Sequence, residues 1–136
     1  MKLPQHLQHF PHATLIVISD QITAKFFLAG GEDIEELDAL ALPRDKRQEP
    51  EGPFGKISEM DDGQRLKHFM KQVADQITAY IRDHNVARFH LVMPTEIERL
   101  LSENLSTDLE SKRGQTLHAA LMKEPILKII EKLQII

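Results

Sequence analysis

The sequence has no cysteine and no tryptophan, and aromatic residues make up only 5% of its 136 positions. The lack of cysteine excludes disulfides, thiolate metal sites and thiol nucleophiles, and it permits a reducing compartment. No apolar run approaches the roughly 20 residues that a membrane-spanning helix needs, and none begins before residue 13 as a signal peptide would require. We therefore expect a soluble, cytoplasmic protein that does not enter a membrane.

A strong charge of one sign is also lacking, since the net charge is −4. Residues 31–63 carry eleven acidic and four basic residues, a net of −7, whereas residues 64–136 carry eleven basic and nine acidic residues, a net of +2. No strongly basic field exists for naked nucleic acid, and the acidic stretch is best interpreted as a solvated rim. With 41% apolar residues, a chain of this length fits a single globular domain.

One apolar stripe organises the middle of the chain. Between residues 64 and 84, apolar side chains recur at intervals of three and four, the period of an amphipathic helix: Leu66, Phe69, Met70, Val73, Ile77, Tyr80 and Ile81. Strand patterns precede and follow this helix, so we expect it to be a crossover lying on a sheet. The first amides of a helix have no acceptor within the helix itself, so the start of this helix after Gly63 favours an anion such as phosphate.

Five strands and two further helices are predicted around this crossover. Residues 13–18 are apolar on both faces, as in a central strand, and residues 22–28 place Ile22, Ala24 and Phe26 on one face of its hairpin partner. The remaining strands are residues 34–42, an acidic edge, then 89–93 and 113–117. Helices are expected at residues 95–104 and from Pro125 onward, with a capped turn near Ser106 between them. The fold class is therefore α/β, with a mixed five-stranded sheet and helices packed on it.

Two segments lie outside this pattern. Residues 1–12 are interpreted as a mobile arm that precedes a domain of residues 13–136. This arm contains His6, His9 and His12, but its two prolines argue against a helix that would hold them as metal ligands. Residues 43–63 have few apolar anchors, so this long loop is either functional or disordered. Neither segment predicts a metal or cofactor site.

The final helix predicts an assembly. Ile129, Ile130, Leu133, Ile135 and Ile136 cover more than one helical face, because adjacent residues of a helix point about 100° apart. They cannot all face one sheet, so we expect a second copy of the chain to cover the remainder. The predicted partner surface is a two-fold homodimer through this helix.

Several stretches together resemble the bacterial host-attachment protein family. The resemblance begins with the apolar strand, the Asp20 turn and Ala24-Lys25-Phe26, all within residues 15–27. It continues through residues 89–94, the helix that follows them, and residues 116–121, and so covers nearly the whole chain from residue 13. Members of this family look related to the central domain of archaeal and eukaryotic peptide-chain release factors.

The resemblance implies a ribonuclease-H-like sheet with its predicted strands in the order three, two, one, four, five. It also implies a functional loop, because a Gly-Gly-Gln loop opens the crossover helix of release factors, and Asp62-Gly63-Gln64 stands at that place here. Asp62 replaces the first glycine, which restricts the backbone and adds a negative charge. Arg65, Lys67 and Lys71 are then candidate RNA-contacting residues, although a solvated helix face would carry the same three.

No catalytic residues are predicted. A ribonuclease-H-like nuclease needs carboxylates at strand ends for two metal ions, yet only Asp20 ends a strand, and Glu96 is better explained as a first-turn helix charge. The leading hypothesis is a release-factor-like, host-attachment-family domain that binds the ribosome or another RNA–protein assembly without a catalytic centre. The alternatives are a protein-interaction module for host attachment or stress and, last, a metal-dependent nuclease.

Overall fold

A computed structural model of the protein describes residues 2–7, 10–41 and 62–133. After a short 3-10 helix at Gln5–Leu7, four strands precede the first long helix: β1 (Phe10–Ser19), β2 (Thr23–Gly31), β3 (Asp33–Glu36) and β4 (Leu40–Ala41). The rest alternates helix and strand: α1 (Asp62–Asp83), β5 (Arg88–Val92), α2 (Thr95–Ser102), α3 (Thr107–Glu110), β6 (Arg113–Leu117) and α4 (Ile126–Leu133). Apart from Asp62 and Gly63, which belong to α1, the predicted loop at 43–63 lies outside the described residues.

The strands form one mixed sheet in the order β3-β2-β1-β5-β6, with β4 also paired to β2. β1 is antiparallel to β2 and parallel to β5, as a helical crossover requires, and the predicted strand order is confirmed. The sheet has six strands instead of five because the predicted strand at 34–42 is divided into β3 and β4. At the division, the Asp38 carbonyl accepts a hydrogen bond from the Tyr80 hydroxyl of α1, at 3.1 Å.

β1 is buried on both faces, as its unbroken apolar run predicts. Leu15 and Val17 enter a core shared with α1, α2 and α3, whereas Ile16 and Ile18 enter a second core on the opposite face, under α4. The sheet is therefore the middle of three layers. Fully burying such aliphatic side chains contributes roughly 1.5 to 3 kcal/mol each, which explains why this strand is the centre of the fold.

The second core accounts for three of the five apolar residues on which the prediction for the last helix rests. Ile129, Ile130 and Leu133 are all buried within the chain, with exposed fractions of 1%, 1% and 5%. Residues at positions i, i+1 and i+4 span an arc of only about 100°, so one helical face can bury all three. Ile135 and Ile136 lie outside the described residues.

The amino-terminal segment contributes to the same core. Leu3 and Phe10 are buried, and the Leu3 amide donates to the Glu32 carbonyl at 2.7 Å. β1 therefore begins at Phe10, three residues before the predicted start. The mobility of an arm at residues 1–12 stays a prediction, but these two side chains belong to the packed domain.

The turn after β1 also differs from the prediction. Ile22 is 53% exposed and precedes β2 instead of sharing its buried face. The cause is the Asp20 carboxylate, whose Oδ1 accepts hydrogen bonds from the amides of Ile22 and Thr23 at 2.9 and 2.8 Å. This Asx-type turn holds Ile22 at its tip, outside the sheet.

No helix in the described part of the chain is both long and apolar enough to span a membrane.

Candidate functional site

The predicted Asp62-Gly63-Gln64 loop is the first turn of α1 in the structure. Gln64, Arg65, Leu66 and Lys67 are good helix formers, and Leu66 packs partly against the core, so the helix extends back to include the glycine. The three residues therefore have helical backbone, which corrects their interpretation as a loop. Gly63 and Gln64 are exposed.

The direction of α1 places its start at one end of the sheet. Because α1 leads into β5, and β5 is parallel to β1, α1 runs antiparallel to both and begins near their carboxyl ends. Its 22 residues span about 33 Å, about the length of the ten-residue β1 and about twice that of β5. Gly63, Gln64 and Arg65 in its first turns are exposed.

The three basic residues predicted on α1 do not share one face. Lys67 and Lys71 are four residues apart and lie in the same exposed row, with His68 beside them. Arg65 is exposed as well, but it points about 160° away from Lys67 and about 120° away from Lys71 around the helix axis. A single flat surface can therefore contact Lys67 and Lys71 together, while Arg65 lies on a flank.

The charge of this row is only partly neutralised within the helix. Lys71 Nζ lies 3.8 Å from Asp75 Oδ2, and both side chains are more than 60% exposed, so the pair contributes little to stability. Lys67 forms no ion pair with the described residues. From Gly63 to Ala74, α1 contains no carboxylate. We name the surface formed by Lys67, His68 and Lys71 the α1 basic row.

The two carboxylates considered for a nuclease lie in a turn and at the start of a helix. Asp20 accepts the two turn amides described above, and Glu96 is exposed in the first turn of α2. Across the described ranges 2–7, 10–41 and 62–133, no three His, Asp or Glu residues are grouped so that they could hold a metal ion. His6 contacts Glu131 of α4 at 3.7 Å, and His9 lies outside the described residues.

A polar cluster that the sequence did not reveal joins α2, α3 and β6. Arg113 Nη1 lies 2.8 Å from Glu98 Oε2. Its Nε lies 3.0 Å from Glu110 Oε1, and its Nη2 lies 3.0 Å from Glu110 Oε2. Ser102 donates to Glu98 at 2.6 Å and also contacts Arg113, while His118 Nε2 lies 3.3 Å from Glu98 Oε1. The Arg113 and Glu98 side chains are only 16% and 18% exposed, so each charge is compensated where it is buried.

These contacts set the ionisation of the cluster. Burial by itself would raise the pKa of Glu98, but hydrogen bonds from Ser102, Arg113 and His118 together hold that pKa below its ordinary value. Burial opposes the charge of Arg113 too, yet the two glutamates raise its pKa. The i,i+4 spacing of Glu98 and Ser102 and the i,i+3 spacing of Glu110 and Arg113 were the signals available in the sequence. Neither spacing shows that the two pairs meet.

A second unpredicted feature lies at the edge strand β6. The pairing of β5 with β6 shifts between Phe89 and Leu91, as in a β-bulge, and His90 lies opposite the irregular residues. The Gln115 amide there donates to His90 Nδ1 at 2.8 Å. Burial lowers the pKa of His90, and the nearby charge of Arg88 lowers it further.

Comparison with known proteins identifies a fold. No family model and no curated protein matches the chain. Among solved structures, an archaeal protein described only as such matches with a TM-score of 0.56 and 15% identity, and the match covers 89% of this chain and 34% of that protein. An archaeal translation termination factor matches with a TM-score of 0.51 and 16% identity, and the match covers 88% of this chain and 37% of the factor.

This chain has a release-factor-like α/β fold. It spans about a third of the length of each of these two proteins. At such low identity the likeness concerns the fold, so a termination activity does not follow from it. The resemblance to the host-attachment family stays a prediction, since no family model matches.

Proposed function

We propose that this chain is a release-factor-like domain that binds the ribosome or another RNA–protein assembly and has no catalytic centre of its own. The observation that carries the proposal is the fold likeness to a translation termination factor, which extends over 88% of the chain. Gly63 and Gln64 at the start of α1 support the proposal, because the resemblance implies a functional loop at this position. Membership of the host-attachment family is part of the same proposal.

The α1 basic row supplies a physical reason for RNA contact. Lys67 and Lys71 lie about 6 Å apart along the helix axis, given a rise of about 1.5 Å per residue, and both ammonium groups are exposed. Contacts between ammonium groups and phosphates release counterions, so such an association weakens steeply as salt rises. The overall charge of −4 argues against tight binding to naked RNA, and therefore favours a partner that also offers protein surface.

The test is co-sedimentation of the untagged chain with ribosomes between about 50 and 200 mM salt, the range over which phosphate contacts lose most affinity. We expect the chain to pellet with ribosomes at low salt and to be released at high salt. The double substitution Lys67→Glu/Lys71→Glu should abolish pelleting, whereas neutral Gln substitutions at both sites should reduce the salt slope by about two.

The matched control is Lys128→Glu/Lys132→Glu. These two exposed lysines are also four residues apart on a helix, α4, and make the same change in net charge on the opposite side of the sheet. This variant should pellet like the parent. A parent that stays in the supernatant at low salt rejects the proposal, and association that ignores salt favours the protein-interaction alternative.

A further inference from the structure

Arg88 and His90 are alternate residues of β5 and therefore project from the same face of the sheet. That face is the one opposite α1, because the next residue in the same alternation, Val92, is in the core under α4. The α1 basic row lies on the other side of the sheet. A ligand held by Arg88 and His90 would therefore be independent of that row.

Gly114 of the edge strand β6 determines the arrangement of the Arg88 and His90 side chains. A Cβ atom placed on Gly114 would stand 2.5 Å from His90 Cε1, 2.6 Å from His90 Nδ1 and 2.9 Å from Arg88 Cδ. Only a glycine permits so close an approach, so the imidazole and the arginine side chain lie side by side over Gly114. The neighbouring Gln115 amide then fixes the imidazole by donating to Nδ1.

This hydrogen bond determines the tautomer of His90. A backbone amide can only donate, so Nδ1 must carry a lone pair and the ring proton must be on Nε2. Nε2–H is then a donor with a set direction, and it has no hydrogen-bond partner among the described residues. The exposed Arg88 likewise forms no ion pair within the described ranges. Its positive charge is close enough to lower the pKa of His90.

We propose that Arg88 and His90 form a binding subsite for a phosphate group on the sheet face opposite α1. The guanidinium supplies charge and paired N–H donors that match phosphate oxygens, and His90 Nε2–H adds one neutral donor held in place by Gln115. A phosphate in an RNA backbone and a free phosphate present the same oxygens to these donors. The subsite is a feature of the folded chain whether or not the chain binds ribosomes.

The test is NMR of the intact chain with labelled histidine and arginine side chains. Long-range nitrogen–proton spectra should first show His90 with its proton on Nε2. Addition of inorganic phosphate at pH 7.5 should then shift the His90 Nε2 and Arg88 Nε signals together along a saturating curve. A parallel titration with a short single-stranded RNA asks whether a backbone phosphate occupies the same subsite more tightly.

Two variants test the assignment. Arg88→Gln should weaken phosphate binding by about tenfold or more, as the loss of charged hydrogen bonds predicts. His90→Asn keeps an acceptor for the Gln115 amide but removes Nε2–H, so it should fold normally and bind phosphate less tightly than the parent. The control is Arg82→Gln, which removes an exposed arginine at the end of α1 and should leave phosphate binding unchanged.

Three results would overturn the inference: a His90 proton on Nδ1, phosphate shifts that fail to saturate, or equal binding by the parent and Arg88→Gln. A chain that binds phosphate here but does not pellet with ribosomes would reject the proposed function and keep the subsite. A chain that pellets with ribosomes but does not bind phosphate here would reject the subsite and keep the proposed function.

Discussion

At the scale of single residues, Arg113 connects three segments that would otherwise meet only through apolar contacts. Its guanidinium pairs with Glu98 of α2 and Glu110 of α3, while its own backbone belongs to the edge strand β6. A half-buried charge is tolerated when its hydrogen bonds are satisfied, and both glutamates satisfy this one. The cluster therefore links α2 and α3 to β6 through ion pairs.

Glu98 makes this connection sensitive to acid. Its pKa is depressed in the folded chain from an ordinary value of 4.5. The carboxylate therefore contributes stability that is fully present above about pH 4.5 and is lost as the pH falls through the folded pKa. Glu98→Gln should cost roughly 1.5 to 3 kcal/mol at pH 7, the usual range for hydrogen bonds to a charged group, and the difference from the parent should shrink below pH 4. Urea unfolding at pH 7, 5 and 3.5 measures both effects.

The control for this prediction is Glu103→Gln. Glu103 is an exposed glutamate at the end of α2 that forms no ion pair with the described residues. Its substitution should change the free energy of unfolding by less than about 0.5 kcal/mol at every pH. A Glu98→Gln chain as stable as the parent at pH 7 would show that the cluster does not stabilise the fold.

At the scale of elements, α4 is held to the sheet by a narrow apolar face. Ile129, Ile130 and Leu133 fill the second core together with Leu3 and Phe10 from the start of the chain, whereas Ile126 and Leu127 are only partly buried. The helix thus joins the two ends of the described chain on one side of β1. Its eight residues would not be a stable helix in isolation, so tertiary burial must supply its stability.

This packing predicts unequal effects of two similar substitutions on α4. Ile130→Ala should lower the free energy of unfolding by about 2 to 5 kcal/mol, because it leaves a cavity in a site that is 1% exposed. Leu127→Ala removes a comparable side chain from the half-buried flank of the same helix and should cost clearly less. Thermal or urea unfolding of the two variants checks the difference. Equal losses would mean that the buried face of α4 is assigned incorrectly.

At the scale of the whole molecule, the predicted homodimer now depends on fewer residues. Three of its five apolar side chains are buried within the chain, so the prediction rests on Ile135 and Ile136, outside the described residues. Sedimentation equilibrium at micromolar concentration should show a dimer for the full chain and a monomer for a variant that ends at Leu133. A monomeric parent, or a truncated chain that still dimerises, would contradict this prediction.

The framework of the fold was predictable because it depends on short-range patterns. The unbroken apolar run at residues 13–18 identified the central strand, and the three-and-four spacing from Leu66 onward identified α1 to within two residues of its ends. The strand order followed from the resemblance, and the parallel pairing of β1 with β5 agrees with a helical crossover between them. In the candidate site, Lys67 and Lys71 share a face that Arg65 does not, and Asp62, Gly63 and Gln64 are helical. A functional role for these six residues stays a prediction.

What the sequence by itself determined is the alternation of strands and helices and the inward faces of β1 and α1, because hydrophobic period and backbone geometry are local properties. Only the tertiary structure decided which distant side chains meet. The irregular pairing of β6 places His90 over Gly114, and folding brings Glu98 and Arg113 together although 15 residues separate them in the chain. Such contacts depend on register and layer packing, and a shift of one residue in a strand moves every side chain to the other face. These two polar features could therefore not be predicted from the sequence.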